Sequence, residues 1–526
     1  MHPGSFLAAA IAALTGTAFA ALMWAAGGTG AVTPIGPYLV RTLTFSLAQA
    51  GVSTLLSVGL GTALALALAR RRFPGRSLFL AALGAAAVLP TVVTAFAVVA
   101  VYGRSGWVAD LMRLAGLPGE LRIFGWPGIL LAHVALNAPL VARLQLDALG
   151  GVAAEQWRLA QVLGFGPREV FRHLDLPVLR RETPGVAGLV FLLCFTSFGI
   201  VLTLGGGPAH ATLEVAIYEA LRSEGDIPRA AWLALVQTGF CLTVAVALHR
   251  VGGRSAVAQT SRLPVARADA RDRRLAAVDT VVLGLGALLV LPLLASIATG
   301  LAALPRVLDA DLGRALVTSV TIAAVAASLA CAAAVMLAAA SRHARLRVRR
   351  PALAAAHDAL PLGLAAVPPF TLATGLFLLM PRGADLAATG YVLLPVVNAF
   401  GTLAFAYRFV APAVLTTGAR HGLAADLLGL SGIARLRILD WPTLRRPLAG
   451  AFAMSMALSF ADFGVVALFG GAELRTLPYL MYERLAAYRF EEASALAFVL
   501  VAAALTLAHA SVRWSGSEGM RNADGP

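Results

Sequence analysis

The chain has 526 residues, of which 59% are hydrophobic and 13% charged, and its formal net charge is +15. A mean hydropathy of +0.80 leaves too little polar surface for a soluble protein of this length, so the composition indicates a membrane protein. All 42 basic residues are arginine, and the absence of lysine excludes a standard P-loop nucleotide site on this chain.

Apolar runs long enough to cross a bilayer, which takes about 20 residues each, recur along the whole chain. Twelve qualify, at approximately 5–26, 46–69, 78–101, 127–146, 184–204, 230–249, 276–299, 316–340, 353–380, 389–410, 448–469 and 493–511. The first run has no arginine before it, so we interpret it as a retained span rather than a signal peptide. The sequence predicts an all-α polytopic membrane protein with about 12 transmembrane helices.

Arginine distribution predicts the orientation. With the N-terminus in the cytoplasm, the cytoplasmic loops hold more than twice as many arginines as the outer loops. Both termini are then predicted to be cytoplasmic.

The two halves of the chain share a repeat with a register of 265 residues. The repeated loops read Leu163-Gly164, nine residues, Leu174-Asp175-Leu176-Pro177, and Leu428-Gly429, nine residues, Leu439-Asp440-Trp441-Pro442. At the same spacing, Arg143 matches Arg408 and Phe198-Gly199 matches Phe463-Gly464. Since each half has six predicted spans, an even number, we expect two parallel six-helix halves related by an axis along the membrane normal.

The repeat also predicts the domain organisation. It comprises a first half at 1–250 with a loop at 147–182, a linker at 251–275, a second half at 276–512 with a loop at 412–447, and a tail at 513–526. The linker is arginine-rich, so we expect it on the inner surface, where anionic lipid favours basic side chains.

Each loop is predicted to form two short helices. In the first, Gly164 would end a helix in the left-handed conformation, Pro167 would begin the next, and Pro177 would stop or kink it. The second loop repeats this plan with Ala424-Ala425, Gly429 and Pro442. An amphipathic helix lying on lipid would account for one loop but not for the same spacing twice, so we favour a docking surface presented twice.

The loop pattern resembles the EAA motif of binding-protein-dependent ABC importer permeases of type I fold, in which this loop contacts the ATPase subunit. The positions that match the motif are Ala160, Gly164, Leu174, Leu176 and Pro177 in the first loop, and Ala424, Ala425, Gly429, Leu439 and Pro442 in the second. To these we add the proline and apolar residues of the second short helices, Pro167, Phe171 and Leu436. The glutamate position of the motif holds Arg158 and Leu423, so we expect the ATPase contact to differ there.

Two further stretches resemble the permeases of thiamine importers. They run from Phe195 to Tyr218 and from Ala467 to Tyr482. Permeases of ferric-iron importers share the fusion of two halves and the stretch Ser459–Gly464, so ferric iron remains the alternative ligand.

The resemblance implies the permease subunit of a bacterial inner-membrane importer for thiamine and its phosphates. Its expected partners are a periplasmic binding protein and two copies of a cytoplasmic ATPase. That ATPase would bind ATP and Mg, and no cofactor is expected on this chain.

Polar residues within predicted spans are candidates for the pathway because they are costly in lipid. Asn137, Asn398 and Asp462 are such residues, although an asparagine often only bonds a neighbouring helix. Tyr218 and Tyr482 end the two duplicated outer segments, Gly205–Tyr218 and Gly470–Tyr482, which we interpret as gate elements.

Other functional classes have weaker support. No catalytic cluster and no metal site are expected, and the three cysteines, Cys194, Cys241 and Cys331, are typical of small buried residues. An ion-coupled secondary transporter is the rival of another class, but it would leave the paired loops unexplained. Nucleic-acid binding is not expected, since the arginines lie in short loops beside apolar runs.

Overall fold

The computed structural model describes residues 3–27, 36–86, 89–104, 106–116, 122–251, 267–381, 383–430, 432–471 and 473–514. Across these residues the chain is helical, with no β-strand. Most of the predicted linker and tail, namely 252–266 and 515–526, lies outside the described residues.

Twelve α-helices precede the linker. They are α1 Pro3–Gly27, α2 Pro37–Arg70, α3 Arg76–Ala86, α4 Thr91–Tyr102, α5 Trp107–Leu114, α6 Trp126–Leu149, α7 Ala154–Val162, α8 Pro167–Val170, α9 Leu176–Phe195, α10 Gly199–Leu204, α11 Leu213–Tyr218 and α12 Ile227–Val251. Short 3-10 or π-helical segments occupy Phe171–Asp175, Pro208–His210 and Glu219–Glu224.

Ten α-helices follow the linker. They are α13 Arg273–Ala303, α14 Ala310–Leu346, α15 Pro351–Ala365, α16 Pro369–Leu378, α17 Leu386–Leu427, α18 Gly432–Arg435, α19 Trp441–Phe460, α20 Gly464–Phe469, α21 Leu477–Ala486 and α22 Phe490–Trp514. Further 3-10 or π-helical segments occupy Ala268–Arg271, Leu304–Val307 and Leu436–Asp440.

The described residues contain nine helical stretches that are long and apolar enough to span a membrane. The pair α15 and α16, bent by 90° at Pro368-Pro369, makes a tenth if it is one span. The polytopic all-α class is therefore confirmed, and nine or ten described stretches meet this length and apolarity requirement, against about 12 predicted spans.

The predicted runs 184–204 and 448–469 explain most of this difference. Each is divided between a longer helix, α9 or α19, and a short one, α10 or α20. The longer helices begin outside the apolar run and carry the arginine pairs Arg180-Arg181 and Arg445-Arg446 near their first turns. Apolarity alone therefore predicted one continuous helix in each run, where the structure has two.

The chain divides into two compact units that do not follow chain order. One unit contains α1, the segment Ala216–Cys241 and the chain from Leu304 onward; the other contains residues 35–215 and Leu242–Ala303. Within the first unit, α1 packs on α14 and α16. Within the second, α13 packs on α2, α4 and α6.

Small residues line the helix contacts of each unit. In the first, α14, α17 and α19 pack through a core that includes Ala334, Ala406 and Ala451. In the second, Ala138 and Ala142 of α6 pack against Leu64 of α2. Since lipid tails are as apolar as leucine, close packing of small side chains is the main attraction between such helices.

The repeat is also visible in hydrogen bonding on the two predicted outer segments. The buried Ser46 hydroxyl accepts a bond from the Leu213 N–H at 3.1 Å, and the buried Ser319 hydroxyl accepts one from the Leu477 N–H at 2.7 Å. In both cases a serine on a long span satisfies the N–H of the first residue of a short helix, α11 or α21.

Candidate functional site

The first loop folds as the sequence predicts up to its second helix. Gly164 ends α7 with a φ of +67°, and the Phe165 N–H bonds to the Ala160 carbonyl oxygen at 2.9 Å. This is the Schellman pattern that a left-handed glycine allows. Pro167 occupies the first turn of α8, where a missing N–H costs nothing.

The second loop has the same turn. Gly429 also has a φ of +67°, and the Leu430 N–H bonds to the Ala425 carbonyl oxygen at 2.8 Å. The helix that this turn ends is different, however, because the predicted short helix around Ala424-Ala425 is the last part of the 42-residue α17. In the first loop, residues Gly150 to Ala153 separate α6 from α7.

Both loops contain a π-helical segment that was not predicted. It covers Phe171–Asp175 in the first loop and Leu436–Asp440 in the second, again 265 residues apart. Each segment lies directly before a helix with proline in its first turn, Pro177 in α9 and Pro442 in α19. Since proline cannot donate to the preceding turn, the regular hydrogen-bond ladder is interrupted here, and the π turn joins the two helices without a gap.

One face of the first loop is packed and another is exposed. Ala160 and Leu174 are buried in a small cluster with Trp157 and Val170. Leu176 is half-buried and Pro177 exposed. Phe171, in contrast to the buried Leu174, is exposed.

Apolar side chains at matching positions extend from both loops. Val162 is 84% exposed and Leu163 59%, while their counterparts Leu427 and Leu428 are 80% and 75% exposed. Ala424, Gly429 and Pro442 are exposed, whereas Ala425 is buried and Leu439 half-buried. Each loop therefore presents an apolar edge, formed by Val162 and Leu163 or by Leu427 and Leu428, at the same place in the repeat.

The aspartate of each loop motif is buried in an ion pair. Asp175 lies 2.7 Å from an Nη of Arg267, and Asp440 lies 2.9 Å from an Nη of Arg342. Sequence reasoning used these aspartates only to define the spacing. The ion pairs could have been predicted from the presence of an aspartate between apolar positions in both loops. A buried acidic residue at such a position needs a partner.

The predicted pathway asparagines are buried and bond to neighbouring helices. The Asn137 amide donates to the Cys194 sulfur at 3.4 Å, and the Asn398 amide donates to the Ser459 hydroxyl at 2.9 Å. The two acceptors, Cys194 and Ser459, are 265 residues apart and so match in the repeat. The two asparagines do not match, so only one partner of each contact is equivalent. The exact repeat partner of Asn398 is His133, which lies 2.9 Å from the hydroxyls of both Ser53 and Ser197. Sequence reasoning missed His133.

The remaining predicted pathway residues are Asp462 and the tyrosines that end the duplicated outer segments. Asp462 lies before α20 and accepts from the Val465 N–H at 3.5 Å. The Tyr482 ring packs against the Phe463 ring with centroids 5.0 Å apart, and Tyr218 is half-buried. Burial raises the pKa of Tyr482 above its usual value, so its hydroxyl stays protonated.

An arginine that follows the first outer segment bonds to the first residue of the second. The Arg222 guanidinium, four residues after Tyr218, donates to the Gly470 carbonyl oxygen at 2.9 Å. Arg222 and Gly470 both belong to the compact unit that contains Ala216–Cys241 and the chain from Leu304 onward.

These features define the class. Long apolar helices in a repeated arrangement, with two loops of matching geometry, make this chain a multi-pass membrane protein built on an internal repeat. No protein-family model matches the chain.

Known proteins align with nearly its whole length. The thiamine transport system permease protein ThiP of Brucella melitensis biotype 1 is 39% identical over 510 residues, covering 96% of this chain and 93% of its own length. ThiP of Escherichia coli K12 is 39% identical over 507 residues, covering 95% and 94%, and ThiP of Haemophilus influenzae is 34% identical over 471 residues, covering 88% and 86%. The chain belongs to the ThiP family of thiamine transport system permeases, which confirms the resemblance found in the sequence.

Proposed function

We propose that this chain is the permease subunit of a bacterial inner-membrane ABC importer that translocates thiamine and its phosphates. The observation that carries the proposal is the similarity to ThiP proteins along almost the whole chain. Secondary support comes from the two loops, whose turn geometry and exposed apolar edges repeat at a fixed spacing.

The driving force would come from two copies of a separate ATPase that binds ATP and Mg. One copy would dock on each loop, with the apolar edge around Leu163 or Leu428 entering the ATPase surface. Closure of the ATPase dimer would then move the loops together and rock the permease between inward- and outward-facing states. ATP would bind to that separate subunit, since this chain has no lysine for a standard P-loop.

The contact with the ATPase would lack the usual glutamate. The corresponding positions, Arg158 and Leu423, are both exposed, and Leu423 is 75% exposed. An apolar side chain in one loop and a cation in the other make the two docking surfaces chemically different. We infer that they contact the ATPase through packing rather than through matching ion pairs.

The distribution of arginine between the loops predicts how the chain is oriented in the membrane. The loops, the linker and both termini would be cytoplasmic, and the segments that end at Tyr218 and Tyr482 would face the periplasmic binding protein. Thiamine carries a cationic thiazolium ring, and tyrosine faces together with the carboxylate of Asp462 suit a cation on its way through the membrane. These residues are proposed as gate or pathway elements.

The proposed function is tested by transport in proteoliposomes that contain this chain, its ATPase and its binding protein. We expect uptake of radiolabelled thiamine that requires ATP on the loop side and binding protein on the opposite side. An excess of ferric iron should not compete. Ionophores that collapse proton and sodium gradients should leave the uptake intact.

Two results would contradict the proposal. Uptake that continues without ATP but stops with an ionophore would identify an ion-coupled transporter. Competition by ferric iron, with no thiamine uptake, would assign the ligand to the other importer class.

A further inference from the structure

The described end of the inter-half linker makes close contacts with the first loop. We call residues Arg267–Asp272 the linker anchor; they include the 3-10 helix Ala268–Arg271 directly before α13. The Arg267 guanidinium donates to both carboxylate oxygens of Asp175, at 3.1 and 2.7 Å. It also donates to both oxygens of Asp269, at 3.0 and 2.9 Å.

Arg267 is enclosed by the loop as well as bonded to it. Its guanidinium carbon lies 4.6 Å from the ring centroid of Trp157, a residue of the buried cluster under the loop. The side chains of Arg267, Asp175 and Asp269 are only 9%, 0% and 2% exposed. Because the planar guanidinium binds two carboxylates and stacks on an aromatic face, it fixes both the orientation of the loop relative to the linker anchor and the distance between them.

The charges in this cluster depend on one another. Although burial alone lowers the pKa of Arg267, hydrogen bonds to Asp269 and Asp175 raise it above its ordinary value, so the guanidinium stays charged. Burial raises the pKa of Asp175, and Arg267 opposes that effect. Removing the arginine would therefore leave two buried carboxylates without their main counter-charge.

The anchor is also fixed to the membrane helices of the same unit. Arg71, just after α2, donates to the Ala270 carbonyl oxygen at 2.6 Å and to the Asp272 carbonyl oxygen at 3.3 Å. Both Arg70 and Arg71 pair with Asp279 of α13, each at 2.6 Å. The first loop is thus connected through Arg267 to the ends of two long helices.

The second loop is held differently. Asp440, the repeat partner of Asp175, pairs with Arg342 of α14 at 2.9 Å, and Arg435 of the same loop lies 3.9 Å away. Its counter-charge comes from a membrane helix and from the loop itself. The two loops share their turn and their buried aspartate but not the origin of the partner arginine.

We propose that Arg267 is a positioning residue through which the linker anchor holds the first loop in the orientation that receives the ATPase. The second loop depends on Arg342 instead, so a chain with two similar loops has two different supports. The proposal rests on the proposed function for its link to the ATPase. The contact between Arg267 and the first loop does not depend on that function, because both lie within this chain.

The test places a spin label on matching exposed positions, Leu163→Cys or Leu428→Cys. The three native cysteines are buried, and protein without the new cysteine serves as the blank. In Arg267→Gln we expect the label at 163 to become mobile while the label at 428 does not change. Arg342→Gln should do the reverse.

The matched control is Arg273→Gln, which removes the same charge from an exposed position six residues away. It should leave both labels unchanged. Arg267→Lys, which keeps the charge but loses the planar fork, should give an intermediate mobility at 163 and covers the case in which Arg267→Gln does not fold.

Function gives a second readout. In proteoliposomes with the ATPase and the binding protein, Arg267→Gln should hydrolyse more ATP per thiamine transported than wild type or Arg273→Gln. An immobile label at 163 in both Arg267 variants, or an unchanged ATP-to-thiamine ratio with a mobile label, would overturn the proposal. Failure of wild type to transport thiamine would instead count against the proposed function, and the label at 163 would still decide whether Arg267 holds the loop.

Discussion

At the scale of single residues, the left-handed backbone conformation of the two loop turns favours glycine at positions 164 and 429. Both have a φ of +67°, and a Cβ at either position would meet no atom within 4 Å. The cost of a side chain there is therefore backbone strain rather than a clash. The sequence predicted this conformation at Gly164 because it lies between a helical segment and Pro167, and at Gly429 because the second loop repeats the spacing of the first.

We expect Gly164→Ala and Gly429→Ala each to destabilise the docking conformation by about 1 kcal/mol, which corresponds to a roughly fivefold loss in affinity for the ATPase. Asparagine, which tolerates the left-handed region, should cause a smaller loss. Affinity is measured with immobilised permease and purified ATPase.

The control for this change is Gly185→Ala on α9, where a Cβ also meets nothing and φ is not positive. It should bind the ATPase as wild type does. Equal affinity of Gly164→Ala and Gly185→Ala would show that the turn does not control docking.

Other residues of the candidate site could not be predicted. The partners of Asp175 and Asp440, which are Arg267 and Arg342, lie 92 and 98 positions away along the chain. One comes from the linker and the other from a helix, so no common spacing exists to detect. Tertiary packing alone brings these charges together.

At the scale of elements, the repeat preserves boundaries closely. The segment from α8 to α10 and the segment from α18 to α20 start and end at positions 265 apart throughout, including the π turn. Hydropathy predicted most of the spans, but it could not show where an apolar run stops being one helix. Breaks at Thr196–Phe198 and Ala461–Phe463 leave the run apolar while interrupting its hydrogen bonds.

The serine contacts of α11 and α21 give a prediction at this scale. Ser46→Ala and Ser319→Ala each leave the first N–H of a short buried helix without its acceptor. We expect each to lower the free energy of unfolding by about 1–3 kcal/mol. Unfolding by SDS in mixed micelles, followed by circular dichroism, measures the change.

Ser328→Ala is the matched control, because this exposed serine lies on the same helix as Ser319 and bonds only to the Ala324 carbonyl oxygen of that helix. It should change stability little. A loss for Ser46→Ala and Ser319→Ala no larger than for Ser328→Ala would mean that the duplicated bonds do not stabilise the outer helices.

At the scale of the whole molecule, the compact units differ from the order of the chain. Helix α1 belongs with the chain from Leu304 onward, and α13 belongs with residues 35–215. Sequence could not predict this exchange, since each helix is simply apolar and lipid offers the same surroundings as a neighbouring helix. The boundaries of the two sequence halves remain a prediction about the repeat.

The central claim is that both loops receive the ATPase. It is tested most directly by attaching a photoreactive benzophenone to Leu163→Cys, Leu428→Cys or Leu111→Cys in membranes that contain the ATPase. All three leucines are strongly exposed, and Leu111 lies on the predicted outer side. We predict crosslinks to the ATPase from positions 163 and 428 and none from 111. Crosslinks from 111, or the absence of a crosslink from either loop, would contradict the account.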